Sequence, residues 1–194
     1  MCGQYFFEDD PLALDLKELL AQLRARVNTT SLGDALISHG RVCPSDAVAA
    51  FAGEAAVPMQ WGFHLPGNKL LINARSETAA DKPLFSQPLQ SARCILPASY
   101  FFEWQRMGKE RVRYACRLEQ DKPMYLAGLY RFEPTLALPV FVILTRQAEG
   151  AMADIHDRMP VIVPQEGLNT WLHDDIAAPQ LFTAPAPRLL LQAV

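Results

Sequence analysis

Fifteen prolines are scattered from Pro11 to Pro187 of this 194-residue chain. Each fixes φ and removes a backbone donor, so proline is expelled from helix interiors and from central sheet positions. That spread argues against a helical bundle. The apolar runs between the prolines are rich in β-branched and aromatic residues, which favours strands. Strands are expected at Gln4–Phe7, Ala56–Phe63, Lys69–Asn73, Arg93–Leu96, Tyr100–Gln105, Arg111–Arg117, Met124–Phe132, Val140–Thr145 and Val161–Val163, with a strand end at Val42–Pro44. Pro66-Gly67-Asn68, Met107-Gly108-Lys109 and Gln120–Pro123 suit the turns between them.

The clearest helix signal follows Asp10-Pro11, an N-cap and a proline at the first helical position. Leu12, Leu16, Leu19, Leu20, Leu23 and Val27 then recur at helical spacing, and Asn28–Gly33 reads as a turn. Shorter helices are expected at Ser76–Ala80, at Ala148–Ile155 and from Pro164 through Trp171 and Leu172. These elements predict an α+β fold: a mixed, mainly antiparallel, barrel-like sheet with helices packed outside, in one domain over residues 1–194.

Half of the residues are hydrophobic and a fifth are charged, enough for a core that needs no metal or disulfide. No run spans a bilayer and no secretory signal opens the chain, so the expected compartment is the cytoplasm. Cys2, Cys43, Cys94 and Cys116 are scattered without a CxxC pair, which excludes a zinc knuckle or disulfide framework; no metal and no cofactor is expected. The net charge of −3 excludes a general polyanion binder but not a local arginine groove.

Four places set a polar group in apolar company. Cys2 follows the initiator and precedes GQYFF; Asn73 ends the run LLI; Glu103 sits inside YFFEW; His156 precedes DRMPVIV. Each has a structural reading: a small hydrophobe, a turn residue, a solvent-facing carboxylate, a hydrogen-bonded histidine. Together they supply a nucleophile, an orienting amide, a carboxylic acid and an imidazole.

Met1-Cys2-Gly3, Trp61-Gly62-Phe63, Asn73-Ala74-Arg75-Ser76-Glu77-Thr78, Arg93-Cys94 with Pro97, Phe102-Glu103-Trp104, Ala127-Gly128-Leu129 and His156-Asp157-Arg158-Met159-Pro160 occur in that order. This series resembles the motifs of the SRAP (SOS response-associated peptidase) family, whose fold is a mixed α/β domain with a barrel-like sheet. The resemblance implies a protein that traps abasic sites in single-stranded DNA as a covalent crosslink and shields them from cleavage. It implies Cys2 as nucleophile once Met1 is removed, supported by Asn73, Glu103 and His156. Arg75 and Arg158 are the expected phosphate partners, and Trp61 and Trp104 the expected stacking platforms, with core packing the stronger reading for Phe102. A monomer is expected.

The chemistry suits a 1,2-aminothiol. An α-amine of pKa about 7.7–8.0 is partly neutral near pH 7 and attacks the ring-opened sugar's aldehyde. The thiol then closes a five-membered thiazolidine on the imine. The same imine leads to β-elimination, so weak lyase activity is also implied. Gln4 stands where the family usually has Arg, Pro44-Ser45 where it has Pro-Gly, and a second tryptophan after Trp61 is missing. Class II glutamine amidotransferases also begin Met-Cys-Gly, so an N-terminal-cysteine amidohydrolase or thiol peptidase is the rival reading. That reading leaves FFEW and HDRMP unexplained.

Overall fold

The structure, a computed structural model, describes residues 2–7, 14–27, 36–37, 39–119 and 122–194. The expected helix start at Asp10-Pro11 and the turn at Asn28–Gly33 lie outside them, as does Met1. In chain order the strands are β1 (Tyr5–Phe7), β2 (Leu36–Ile37), β3 (Gly40–Val42), β4 (Ala47–Ala52), β5 (Ala55–Trp61), β6 (Phe63–Leu65), β7 (Lys69–Leu71) and β8 (Asn73–Arg75). There follow β9 (Arg93–Ala98), β10 (Tyr100–Met107), β11 (Glu110–Leu118), β12 (Met124–Arg131), β13 (Val140–Gln147), β14 (Arg158–Pro160), β15 (Ile162–Val163) and β16 (Leu189–Ala193). Helices cover Leu14–Val27, Ser76–Ala79, Pro83–Ser91 and Leu168–His173.

The larger sheet closes on itself. Pairing runs β13–β5–β4–β9–β12 and returns from β12 to β13, giving a ring-like, partly closed barrel. The weakest joint is β4–β9, a single pair at Phe51 and Ile95. Beyond its contacts with β5 and β12, β13 continues between β8 on one edge and β14 on the other, with Thr145 opposite both Arg75 and Pro160. The smaller sheet is antiparallel, in the order β16–β11–β10–β1–β3. The α+β reading with a barrel-like sheet therefore holds.

Burial follows from this arrangement. All of β9 and most of β12 and β13 are buried on both faces, which is why their sequences run apolar without alternation. Trp61, Phe51, Phe63, Phe141 and Trp171 fill the centre. The Leu14–Val27 helix packs on β4 and β5 and buries Leu20 and Leu23. No helix among the described residues is long and apolar enough to cross a membrane.

Two strand prolines sit where donors are not needed. Pro58 pairs with Ala49 of β4, while β5 meets β13 only at Gln60 and Trp61. Pro97 pairs with β12 and lies outside the single contact with β4.

Several elements escaped the sequence reading. Strand β4 is alanine-rich, a composition that sits poorly with strand propensity, while its partner β5 matches the expected Ala56–Phe63 strand. The Pro83–Ser91 helix carries Pro88 in its interior. Strand β16 gains its place only by pairing with β11. The expected Val161–Val163 strand is two pieces flanking Val161, and Ala148–Ile155 narrows to a 3-10 turn at Gly150–Asp154.

Gly128 tests the tightness of the ring. A Cβ there would lie 2.5 Å from Leu96 Cδ2 and 2.7 Å from Cys94 Sγ, both buried. Gly128→Ala is expected to cost about 1–3 kcal/mol by overpacking, read as a lower urea midpoint at constant m-value. An unchanged midpoint would show that the ring has slack there.

Candidate functional site

β1 lies between β10 and β3, with Tyr5 opposite both Phe101 and Val42. Phe102 N–H donates to Gln4 O at 2.9 Å, which carries the pairing past the end of β1 toward Cys2. The first residues are thereby stitched into the smaller sheet. Cys2 is fully buried.

Glu103 does not face water. Tyr5, Phe101 and Cys116 are directly opposed across three strands, and alternation puts Glu103 on the face that Phe101 shares with Cys116. That face is buried between the sheets, and Glu103 is only 2% exposed. Its charge acts on two thiols. Burial, and next the Glu103 carboxylate, push the Cys2 thiol far above its ordinary range. The same two causes push Cys116 up to about 12. Cys2 is therefore a protonated thiol near neutral pH, and its Sγ–H points to Gln4 O at 3.8 Å.

Asn73 opens β8, held by its parallel pairing with Ile143 of β13. Its Nδ2 donates to Cys2 O at 3.0 Å, fixing the peptide unit beside the Cys2 thiol. Its Oδ1 is buried and accepts no hydrogen bond from the described residues. Three sequence-predicted residues, Cys2, Asn73 and Glu103, are thus brought together from the segment before β1, from β8 and from β10.

His156 sits in the loop before β14, partly exposed. Its Nδ1 is 3.0 Å from Arg158 N and 2.7 Å from Asp157 Oδ1. One ring nitrogen serves one of these at a time: it accepts from Arg158 N–H, or it donates to Asp157. The backbone donor is the fixed partner, because Asp157 is largely exposed and its ion pair is screened by solvent.

Two expected DNA contacts are placed differently. Trp61 is completely buried, its Nε1–H donating to Ile72 O at 2.9 Å and its ring packed on Tyr5 and Phe141. It closes the barrel and offers no face to a base. Arg158 is 8% exposed; its guanidinium donates to both Glu77 oxygens at 2.7 and 2.8 Å and to Thr145 O at 2.6 Å. It ties β14 to β13 and to the helix after β8, and no longer presents a free fork to phosphate. Arg75 is exposed, Trp104 is half-buried, and Phe102 is core-like, as its stronger reading had it.

Glu77, Thr145 and Cys116 are site neighbours that the sequence reading missed. Glu77 lay inside a quoted motif. Cys116 was reachable from the Met107-Gly108-Lys109 turn, which fixes the hairpin register and puts residues 103 and 116 on one face. Among the described residues no group of His, Cys, Asp and Glu is arranged to hold a metal.

Comparison with known proteins follows this geometry. The family model described as SOS response associated peptidase (SRAP) matches residues 1–192. The chain is similar to the abasic site processing protein YobE of Bacillus subtilis (strain 168), 40% identical over 125 residues, covering 59% of this chain and 57% of that one. It is 34% identical over 152 residues to YoaM of the same organism, covering 71% of this chain and 67% of that one. The abasic site processing protein YedK of Escherichia coli (strain K12) is 33% identical over 125 residues, 62% of this chain and 56% of that one. The matches to YobE and YedK thus span less than two thirds of those relatives. A crystal structure from Bordetella bronchiseptica superposes with TM-score 0.76 at 23% identity, covering all of this chain and 99% of its own, which shows the same fold.

The Glu77–Arg158 clamp has a pH signature. Hydrogen bonds from Arg158 hold the Glu77 carboxyl down to about 2, against a smaller upward push from burial. An unfolded-chain glutamate titrates at about 4.3. The clamp's stability is therefore whole above about pH 4.3 and is lost as pH falls through the folded value. The stability gap between wild type and Glu77→Gln should stay constant from neutral pH to about 5, then close toward pH 2 in urea melts. A gap that does not change with pH would refute the clamp.

Proposed function

The chain belongs to the SOS response-associated peptidase family, and on that premise we propose that it processes abasic sites in DNA, capturing them as a covalent crosslink to Cys2. In this reading it acts as one domain over residues 1–194, on single-stranded DNA, after loss of Met1. The observation that carries the reading is the buried cluster in which Asn73 Nδ2 donates to the Cys2 carbonyl and the buried Glu103 carboxylate acts electrostatically on the Cys2 thiol.

The neutral α-amine of Cys2 attacks C1′ of the ring-opened sugar, and the carbinolamine loses water to give an imine. The thiol then adds: sulfur bonds to the former aldehyde carbon and the thiol proton goes to nitrogen. A thiazolidine and one water are the products. Asn73 anchors the residue so that its amine, and not a freely rotating end, meets the aldehyde; its unfilled Oδ1 accepts an N–H or a sugar hydroxyl. Glu103 carries protons in the dehydration and in ring closure. His156, its Nδ1 engaged by the Arg158 amide, offers Nε2–H to the sugar oxygen as the ring opens. Arg75 and Trp104 remain the phosphate and base contacts.

In this order the amine leads and the sulfur follows, whereas in the amidohydrolase and thiol-peptidase readings the sulfur leads. Cys2→Ser is expected to abolish the SDS-resistant band formed with an abasic oligonucleotide while leaving binding of that oligonucleotide within about twofold. Glu103→Gln is expected to slow adduct formation by about 10²-fold or more, as loss of a general acid–base does. Glutamine hydrolysis by the wild type, with no band, would overturn the proposal.

A further inference from the structure

The strand alternation that buries Glu103 places the next residues of β10 on the opposite, outer face of the smaller sheet. Tyr100, Phe102, Trp104 and Arg106 share that face along β10. Arg117 stands opposite Tyr100, Arg113 opposite Trp104 and Arg111 opposite Arg106, while across β1 Phe6 stands opposite both Tyr100 and Arg41. The rings and guanidinium groups interleave. Phe6 stacks on Tyr100 with centroids 5.0 Å apart and planes at 4°, and Arg113 lies 4.8 Å over Phe102. The acids of the described strands in this sheet, Glu103 and Glu110, fall on the other side by the same alternation. A net-acidic chain has thus collected arginines and aromatic rings on one face.

That face leads away from the proposed site. Phe102 N–H donates to Gln4 O, so the residues before Gln4 run back beside β10 in the direction of Trp104. Arg106 and Arg111 lie one alternation beyond, roughly 7 Å along the strand. Both are exposed, and Trp104 is half-buried between them and the site.

We propose that the outer face of the smaller sheet, from Trp104 to Arg113, Arg111 and Arg106, is the track for single-stranded DNA leaving the captured sugar. The occupant follows from charge and shape: a polyanion whose bases stack on a half-exposed indole and whose phosphates meet arginines, without sequence preference. This rests on the abasic-site reading above and adds the direction in which the strand runs.

The test is anisotropy of a fluorescent single-stranded oligonucleotide carrying a reduced, non-reactive abasic sugar, titrated at several salt concentrations. Arg106→Gln/Arg111→Gln is expected to weaken binding about tenfold and to shrink the salt slope by about 1.4, at about 0.7 per phosphate on a single strand. Lys82→Gln, an exposed cation away from this sheet, should change neither. A double variant that keeps the wild-type affinity and slope would overturn the track while leaving the capture chemistry standing. A wild type that neither binds this DNA nor forms an adduct with its reactive counterpart would overturn both.

Discussion

Everything at the site depends on the first few residues being held as an interior strand of a sheet. A chain end is ordinarily the least ordered part of a domain. Here β1 is paired on both edges, and the Phe102–Gln4 hydrogen bond extends that pairing toward Cys2. Asn73 closes the last gap from the barrel side. Cys2 thereby becomes a fixed, buried group whose position relative to Glu103 is set by backbone hydrogen bonds.

Two sheets share the work. The closed barrel supplies rigidity: β13, buried along most of its length, carries β8 with Asn73 on one edge and β14, after His156, on the other. The Glu77–Arg158–Thr145 cluster locks those edges together. The smaller sheet supplies β1 and β10. In the capture proposed above, placement governs the reaction: the amine of Cys2 leads and the thiol, held in the same buried pocket, closes the ring.

The parts legible in sequence were those with local causes. The 100–118 hairpin followed from its turn residues, the strands of the barrel from apolar runs, and the kit of Cys2, Asn73, Glu103 and His156 from polar groups in apolar neighbourhoods. The illegible parts were tertiary. Trp61 reads as a surface aromatic beside a glycine, but ring closure at β13 buries it. Arg158 reads as a cation at a strand start, but Glu77 lies 81 residues away and only the fold brings the two together. Glu103 alternates with apolar neighbours like a solvent-facing residue, and only the β1 strand and the barrel beneath make its side the inner one. Strand β4 was hidden by its alanines, which are depleted in strands, whereas its partner β5 was read from Ala56–Phe63.

Intact mass spectrometry of the purified protein incubated with an abasic single-stranded oligonucleotide tests the central claim most directly. The account predicts an adduct of the chain without Met1 plus the oligonucleotide minus one water, with the Cys2 sulfur closed to alkylation after denaturation. An adduct in which that sulfur alkylates freely, or one that forms on a chain still carrying Met1, would contradict it.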